Sequence, residues 1–92
     1  LGLKIKALEP EMARQLGYPD DEKDVAVNQV ASGSKGEIAG IQQGNVIKEI
    51  NRTTVSTPKE VKKEMEKLKS GDTAQMLLKR ANAGLLVVKV TV

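Results

Sequence analysis

The 92-residue sequence contains no cysteine and no histidine. Without cysteine the chain cannot form disulfides or supply a thiolate nucleophile, and without thiolate or imidazole it lacks the usual ligands of zinc. Histidine is also the most frequent general base, so most familiar hydrolytic sites cannot be built from this chain alone. We therefore expect no catalytic site, no metal site and no cofactor.

Aromatic side chains are almost absent, because the chain has one tyrosine, Tyr18, and no phenylalanine or tryptophan. A surface that stacks the bases of single-stranded nucleic acid needs several aromatic residues. The fifteen basic and twelve acidic residues give a net charge of only +3, and they are interspersed along the chain rather than grouped. We expect an aliphatic core and no binding to nucleic acid.

The local charge balance is uneven, since lysines outnumber acids in residues 1–6 and 58–69. A weakly positive face of this kind attracts an acidic partner or a peptide carboxylate. No apolar run approaches the roughly 18 residues of a membrane span, and the chain opens with no signal-peptide pattern. The length suits one domain, expected over residues 1–92, and we expect it to be a segment of a longer chain.

Periodicity predicts about five strands and two helices. Leu3, Ile5 and Ala7 alternate with lysines, which is typical of a half-buried strand. Pro10 suits the first turn of a short helix that stops at Gly17. Residues 31–40 suit a loop leading into one helical turn. The remaining predicted elements are strands at 25–30, 46–50, 75–80 and 85–92, a hairpin from 51 towards Val55, a hairpin turn at 81–84, and a helix at 58–69.

The helix at 58–69 has the clearest pattern. Ser56 or Thr57 can cap it, and Pro58 can occupy its first turn. Apolar residues at spacings of four and three form one stripe, which consists of Val61, Met65 and Leu68. Oppositely charged residues on its other faces stand close enough for two ion pairs, Lys62 with Glu66 and Glu64 with Lys67.

Three short motifs suggest other chemistry without matching its usual spacing. Ser34 next to Lys35 is the remaining nucleophile and base arrangement, so a small enzyme using this dyad stays open as an alternative. Residues 33–36 are glycine-rich but lack the spacing of a phosphate-binding loop. The acidic residues at 20–24 lack the alternating oxygen ligands and central glycine of a calcium loop. A solvated loop explains each of the last two.

The opening Leu1-Gly2-Leu3 places a glycine between two aliphatic residues just before an alternating strand. Such a glycine lets successive backbone N–H groups turn towards one point and bind an anion, for example the C-terminal carboxylate of a peptide. The same tripeptide is also compatible with a simple strand start. Whether this tripeptide indicates an anion-binding loop depends on what the rest of the sequence matches.

Residues 34–51, SKGEIAGIQQGNVIKEIN, resemble the pattern of PDZ domains. The matching parts are Ala39-Gly40-Ile41, Gly44, Val46-Ile47 and Ile50-Asn51, and the helix at 58–69 followed by Gly71-Asp72-Thr73 continues the match. Residues 1–17 resemble the start of PDZ domains in the HtrA/Deg family of serine proteases, in which the domain begins at its carboxylate-binding loop.

The resemblance implies an α+β fold, a small, partly open β-barrel or sandwich of about five strands capped by two helices in the permuted bacterial HtrA-type arrangement. It implies that a hydrophobic C-terminus or extended segment adds as a strand beside residues 3–8. By position, the carboxylate would be held by Leu1, Gly2 and Leu3. The groove would be lined by Ile5, Val61, Met65 and Leu68, together with Leu1 and Leu3. Val61 stands where some PDZ domains have a histidine that selects a hydroxyl side chain, so an apolar ligand is implied.

The same resemblance implies that the parent chain is an HtrA/Deg-like serine endoprotease of the bacterial periplasm or cell envelope. This fragment would then recruit substrate or regulate a protease domain elsewhere in the parent, which could be homo-oligomeric. The alternative is an assembly or regulatory PDZ domain of a secretion component, or of a site-2 or tail-specific protease.

Two departures from the pattern bear on the fold. Asn45 replaces the usual aspartate, which preserves a hydrogen bond but removes any ion pair, and residues 36–38 lack the usual rigid start of a helical turn.

Overall fold

In a computed structural model of the chain, which describes residues 2–18, 24–80 and 84–92, six strands form one antiparallel sheet and three helices pack around it. In chain order the elements are β1 (Leu3–Ala7), α1 (Pro10–Leu16), β2 (Val25–Val30), α2 (Lys35–Ala39), β3 (Val46–Ile50), β4 (Thr53–Thr54), α3 (Pro58–Glu66), β5 (Thr73–Arg80) and β6 (Gly84–Thr91). The strand order is β1-β2-β3-β5-β6, and β4 pairs with β3.

The predicted α+β class is confirmed, but the predicted numbers of strands and helices were too low. The elements beyond the predicted numbers are the shortest ones among the described residues, β4 with two residues and α2 with five, which were predicted as a hairpin and as one helical turn. β4 forms because Asn51 and Arg52 adopt positive φ angles of 49° and 68°, which turn the chain back onto β3. Within the described residues β1 and β6 do not pair, so the sheet is not closed into a barrel.

The helical turn predicted within residues 31–40 is α2, and both of its ends are capped. The Ser34 hydroxyl accepts a hydrogen bond from the Glu37 N–H at 3.2 Å, and the Glu37 carboxylate accepts one from the Gly33 N–H at 2.9 Å. Gly40 ends the helix in the left-handed conformation, with φ of 102°. These caps compensate for the missing rigid start of the turn.

The helix α3 begins as predicted and ends earlier than predicted. The Thr57 hydroxyl accepts a hydrogen bond from the Glu60 N–H at 3.2 Å, and Pro58 stands in the first turn. The helix ends at Glu66 rather than at residue 69, so Leu68 lies beyond it. The predicted Glu64–Lys67 pair is present, at 2.8 Å.

The core consists of two clusters on opposite faces of the sheet, since successive strand residues point to opposite sides. The larger cluster contains Val25, Val27, Ile41, Ile47, Ile50, Val55, Val61, Ala74, Met76, Leu78, Val88 and Val90. The smaller one contains Leu8, Ala13, Tyr18, Ala26 and Val46. Apart from Tyr18 the buried hydrophobic residues are aliphatic, as expected. Within the described part of the chain, no helix has the length and hydrophobicity to cross a membrane.

Tyr18 ties three parts of the chain together from within the smaller cluster. It is only 5% exposed, and its hydroxyl oxygen lies 2.8 Å from the carbonyl oxygens of both Gly44 and Lys79. These carbonyls belong to the turn before β3 and to β5. The Lys79 ammonium lies 5.8 Å from the centre of the Tyr18 ring, within range of a cation–π interaction.

Candidate functional site

A groove of about 350 Å³ lies between β1 and α3. One wall is provided by Leu3 and Ile5 of β1, and the other by Val61 and Met65 of α3. The deeply buried side chains of Ile47 and Met76 line its base. The remaining lining residues are charged and lie on α3, namely Lys62 and Glu66. The groove is therefore apolar inside, with one positive and one negative side chain on its α3 side.

The structure brings most of the predicted site residues to this groove. Leu3, Ile5, Val61 and Met65 all line it. Leu68 is not among the lining residues; it lies beyond the end of α3 and packs against the larger core cluster. Leu1 lies outside the described residues.

Gly2 stands at the entrance to β1 in a conformation that suits glycine. Its φ is 76°, in the left-handed region that side chains disfavour. A Cβ atom at this position would lie 2.3 Å from the Cβ of Ser34, so there is also no space for a side chain. The Gly2 carbonyl accepts a hydrogen bond from the Ala31 N–H at 2.8 Å. The start of β1 is thus held against Ser34, the residue that caps α2.

β1 is an edge strand, because within the described residues it pairs only with β2. The residues flanking it, Gly2 and Leu8, use their carbonyl and N–H groups respectively for bonds to the β2 side. Backbone groups alternate in direction along a strand, so those of Leu3, Ile5 and Ala7 point to the open edge beside α3. An extended peptide could satisfy these groups by adding as a further strand.

The contacts around the sheet define which end of α3 lies near Gly2. Gly2 touches Ser34 at the start of α2, and α2 packs against the last residues of β6. Val92, directly after β6, accepts a hydrogen bond from the Gly71 N–H at 2.7 Å, just beyond α3. The C-terminal half of α3 therefore lies at the Gly2 end of the groove. Met65 is nearer to that end than Val61.

Two other predicted features have structural roles. Asn45 is only 3% exposed, and its side-chain carbonyl accepts a hydrogen bond from the Gln42 N–H at 2.9 Å. This hydrogen bond, which was expected to survive the replacement of aspartate, is present. The hydroxyl of Ser34 accepts the bond that caps α2, which is not a nucleophile's arrangement with Lys35. Among the described residues no group of three acidic side chains could hold a metal ion, and residues 20–22 of the acidic loop lie outside them.

Sequence reasoning missed four of the residues that line the groove. Lys62 and Glu66 each directly follow a residue of the predicted apolar stripe, so they flank that stripe on the helix surface, and helical spacing could have found them. Ile47 and Met76 belong to β3 and β5. Their position depends on the order of the strands in the sheet, which periodicity does not encode.

The family model of the PDZ domain matches residues 1–92 of this chain. Several relatives, including the following two, carry the name "probable periplasmic serine endoprotease DegP-like". The protein from Rhizobium meliloti (strain 1021) is 32% identical over 81 residues, which are 88% of this chain and 16% of that protein. The protein from Chlamydia muridarum (strain MoPn / Nigg) is 29% identical over 77 residues, 84% of this chain and 16% of that protein. The chain thus spans only about a sixth of these relatives.

Solved structures show the same fold. The HtrA-type protease AlgW with a decapeptide has a TM-score of 0.89 at 23% identity, covering 99% of this chain and 27% of that one. The HtrA3 PDZ domain bound to a phage-derived ligand, FGRWV, has a TM-score of 0.77 at 20% identity, covering 99% of this chain and 82% of that one. The groove between β1 and α3 therefore lies in a fold shared with these domains.

Proposed function

Because this chain belongs to the PDZ domain family, we propose that it binds the C-terminus or an extended segment of another protein in the groove between β1 and α3. The ligand adds as a strand along the open edge of β1, and its terminal carboxylate lies at the backbone around Gly2 and Leu3. The observation that carries the proposal is the apolar groove beside an unpaired strand edge that begins at a left-handed glycine.

The lining of the groove supports a hydrophobic ligand. Leu3, Ile5, Val61 and Met65 present aliphatic and thioether groups, and a methionine side chain adapts to ligands of different shape. The one aromatic side chain of the sequence, Tyr18, is not among the residues that line the groove, so it adds no selective contact there. Selectivity for the last ligand residue then follows hydrophobic size. The HtrA3 PDZ ligand FGRWV ends in valine, an apolar residue of this class.

We place the chain in a longer, DegP-like serine endoprotease of the bacterial periplasm or cell envelope, which could be homo-oligomeric. The names of its relatives favour this parent over a secretion component or another type of protease. In such a parent the domain recruits unfolded or cleaved substrates through their exposed C-termini, or regulates the protease domain. In this proposal the catalytic residues belong to the protease domain of the parent, and the Ser34 hydroxyl has the structural role of capping α2.

A peptide titration tests the proposed carboxylate site. A decapeptide that ends in valine should bind with a Kd in the micromolar range, or about −8 kcal/mol. The same peptide with an amidated C-terminus should lose most of this affinity, because the amide no longer offers a negatively charged acceptor to the backbone N–H groups. Isothermal titration calorimetry measures both values. Equal affinity of the two peptides would contradict a carboxylate site.

Substitutions in the groove locate the site. Met65→Glu or Leu3→Glu places a charge in the apolar lining and should weaken binding at least tenfold. Val87→Glu is the matched control, because Val87 is 55% exposed and does not line the groove, yet it undergoes the same kind of change. Unfolding in urea identifies any variant that has lost its fold. Unchanged binding by a folded Met65→Glu protein would place the site elsewhere.

A further inference from the structure

We infer that Lys4 and Lys6 select ligands that carry acidic side chains at the second-last and fourth-last residues. This inference rests on the proposed function, since it needs a peptide strand beside β1. It concerns the face of that strand opposite to the groove.

The first step is the alternation along β1. Leu3 and Ile5 are partly buried and line the groove, whereas Lys4 and Lys6 are exposed on the other face of the sheet. On the β2 side the residues paired with them are Gln29 and Ala26, which carry no charge. Within the described residues neither lysine forms an ion pair. Two positive charges thus stand beside the open edge, and no carboxylate of the described residues is paired with them.

The second step is the direction of the ligand. The carboxylate site at Gly2 precedes β1, so a ligand whose last residue lies there runs opposite to β1, towards Ala7. In an antiparallel pair, residues that face each other across the strands point their side chains to the same side of the sheet. The last and third-last side chains of the ligand therefore enter the groove. The second-last and fourth-last side chains lie on the face of Lys4 and Lys6.

The third step concerns competition from another copy of this chain. An exposed strand edge is a template for pairing with a second edge, and lysines on the edge are a common protection against it. Two β1 strands side by side would bring lysines close to lysines, and like charges across a strand pair are destabilising. An acidic ligand strand reverses the sign of this interaction. Lys4 and Lys6 therefore disfavour self-pairing and favour acidic partners through the same contacts.

A comparison of isomeric peptides tests the inference. Three N-acetylated decapeptides end in the same apolar last and third-last residues. The first peptide has glutamate at the second-last and fourth-last positions. The second has glutamine at these two positions. The third also has glutamine at these two positions, and it carries two glutamates at its N-terminal end. The first should bind about two- to 25-fold more tightly than the third, since each of the two opposite-charge cross-strand pairs contributes roughly 1.5- to fivefold. The first and third peptides have the same net charge, so this difference reports position.

The charge-reversed double variant Lys4→Glu/Lys6→Glu completes the test. It should prefer a peptide with lysine at the second-last and fourth-last positions over the glutamate peptide. The matched control is Lys59→Glu/Lys63→Glu, which makes the same charge change on exposed residues of α3 that do not line the groove. The control should keep the glutamate preference. The preference of the unmodified protein should also shrink in high salt, because exposed charge pairs are screened.

The outcomes separate the inference from the function on which it rests. If the glutamine peptide fails to bind, the proposed function itself is wrong. If it binds and the first and third peptides bind equally, Lys4 and Lys6 do not select for the position of the acidic residues in the ligand, and the inference is overturned. The inference is also overturned if the Lys59→Glu/Lys63→Glu control reverses the preference as completely as the β1 double variant.

Discussion

At the scale of single residues, Gly2 is a position at which a side chain is strongly disfavoured. It combines a left-handed φ of 76° with contact to Ser34, so a side chain is opposed both by conformation and by space. Gly33 has nearly the same φ, 75°, but a Cβ there would meet no atom within 4 Å. Substitutions at the two glycines can therefore distinguish the effect of conformational strain from the effect of steric contact.

We predict that Gly2→Ala lowers stability and peptide affinity more than Gly33→Ala does. Alanine in the left-handed region costs about 1–2 kcal/mol at either position. At Gly2 the contact with Ser34 adds to this cost and displaces the backbone that faces the ligand carboxylate. Urea unfolding and peptide titration of both variants measure the two effects.

The double variant Gly2→Ala/Ser34→Gly tests the cause. Glycine at Ser34 removes the contacting Cβ and is tolerated as a helix N-cap, at a cost of a few tenths of a kcal/mol. Binding should recover in part. If the double variant is as impaired as Gly2→Ala alone, contact with Ser34 does not explain the defect.

Sequence alone identified many individual residues, and it failed where the outcome depended on distant contacts. The glycine at position 2 and the stripe residues Val61 and Met65 follow from local patterns, since helical spacing and glycine conformation are local properties. The close approach of Ser34 to Gly2 depends on packing between segments about thirty residues apart. No periodicity reports such a contact.

At the scale of elements, the N-terminus of α3 is held by a capping box with a charged member. The Glu60 carboxylate accepts hydrogen bonds from the Ser56 hydroxyl at 3.0 Å, the Ser56 N–H at 3.2 Å and the Thr57 hydroxyl at 3.2 Å. These bonds favour the ionised carboxylate, and those from Ser56 contribute most to lowering the pKa of Glu60 below its ordinary value. The N-terminal cap of α3, the helix that lines the groove, therefore depends on pH.

We predict that Glu60 adds to the loss of stability in acid. A carboxyl group whose pKa is lower in the folded state stabilises the protein above its unfolded-state pKa of about 4.3. That contribution disappears as the pH falls through the lower folded-state pKa. The Glu60→Gln variant should therefore lose less stability than the unmodified protein between neutral pH and pH values below about 4. Urea midpoints across this range measure the difference.

Glu66→Gln is the matched control on the same helix. Within the described residues the Glu66 side chain forms no hydrogen bond or ion pair, so this variant controls for the loss of one carboxylate from α3 without the loss of a helix cap. If Glu60→Gln and Glu66→Gln behave alike, the capping box has no special role in acid.

The ends and the shortest elements were the least predictable parts of the fold. Alternation identified β1 and β6, because in each strand one face is more exposed than the other. β2 was predicted in the same way, although Val25, Ala26 and Val27 are all buried. β4 has only two residues and α2 only five, too few for a period to emerge. The early end of α3 placed Leu68 on the core rather than in the groove. Helical spacing holds only while the helix continues.

At the scale of the whole molecule, the strand order and the two-sided core could not be deduced from the sequence. The groove base needs Ile47 of β3 and Met76 of β5, which become neighbours only through the non-sequential pairing of these strands. Tyr18 of the smaller cluster also makes long-range contacts with this arrangement. Tyr18 lies within hydrogen-bonding distance of carbonyls 26 and 61 residues away.

We predict that Tyr18→Phe lowers the free energy of unfolding by about 1–3 kcal/mol. The ring and its packing are retained, but the hydroxyl that meets the Gly44 and Lys79 carbonyls is lost, and an unsatisfied buried polar group is costly. The urea midpoint should fall while the peptide Kd stays within about twofold, because Tyr18 does not line the groove. A midpoint equal to that of the unmodified protein would show that water replaces these bonds without cost.

The burial of Tyr18 also has a spectroscopic consequence. It is the one fluorescent side chain of the sequence, which has no tryptophan, and it lies at the junction of the helix α1, the turn before β3 and the strand β5. Its emission therefore reports separation of these parts without any attached label. A ligand that contains tryptophan can be excited at wavelengths that tyrosine does not absorb. In one sample, unfolding can thus be followed by the emission of Tyr18 and peptide binding by the emission of the ligand tryptophan.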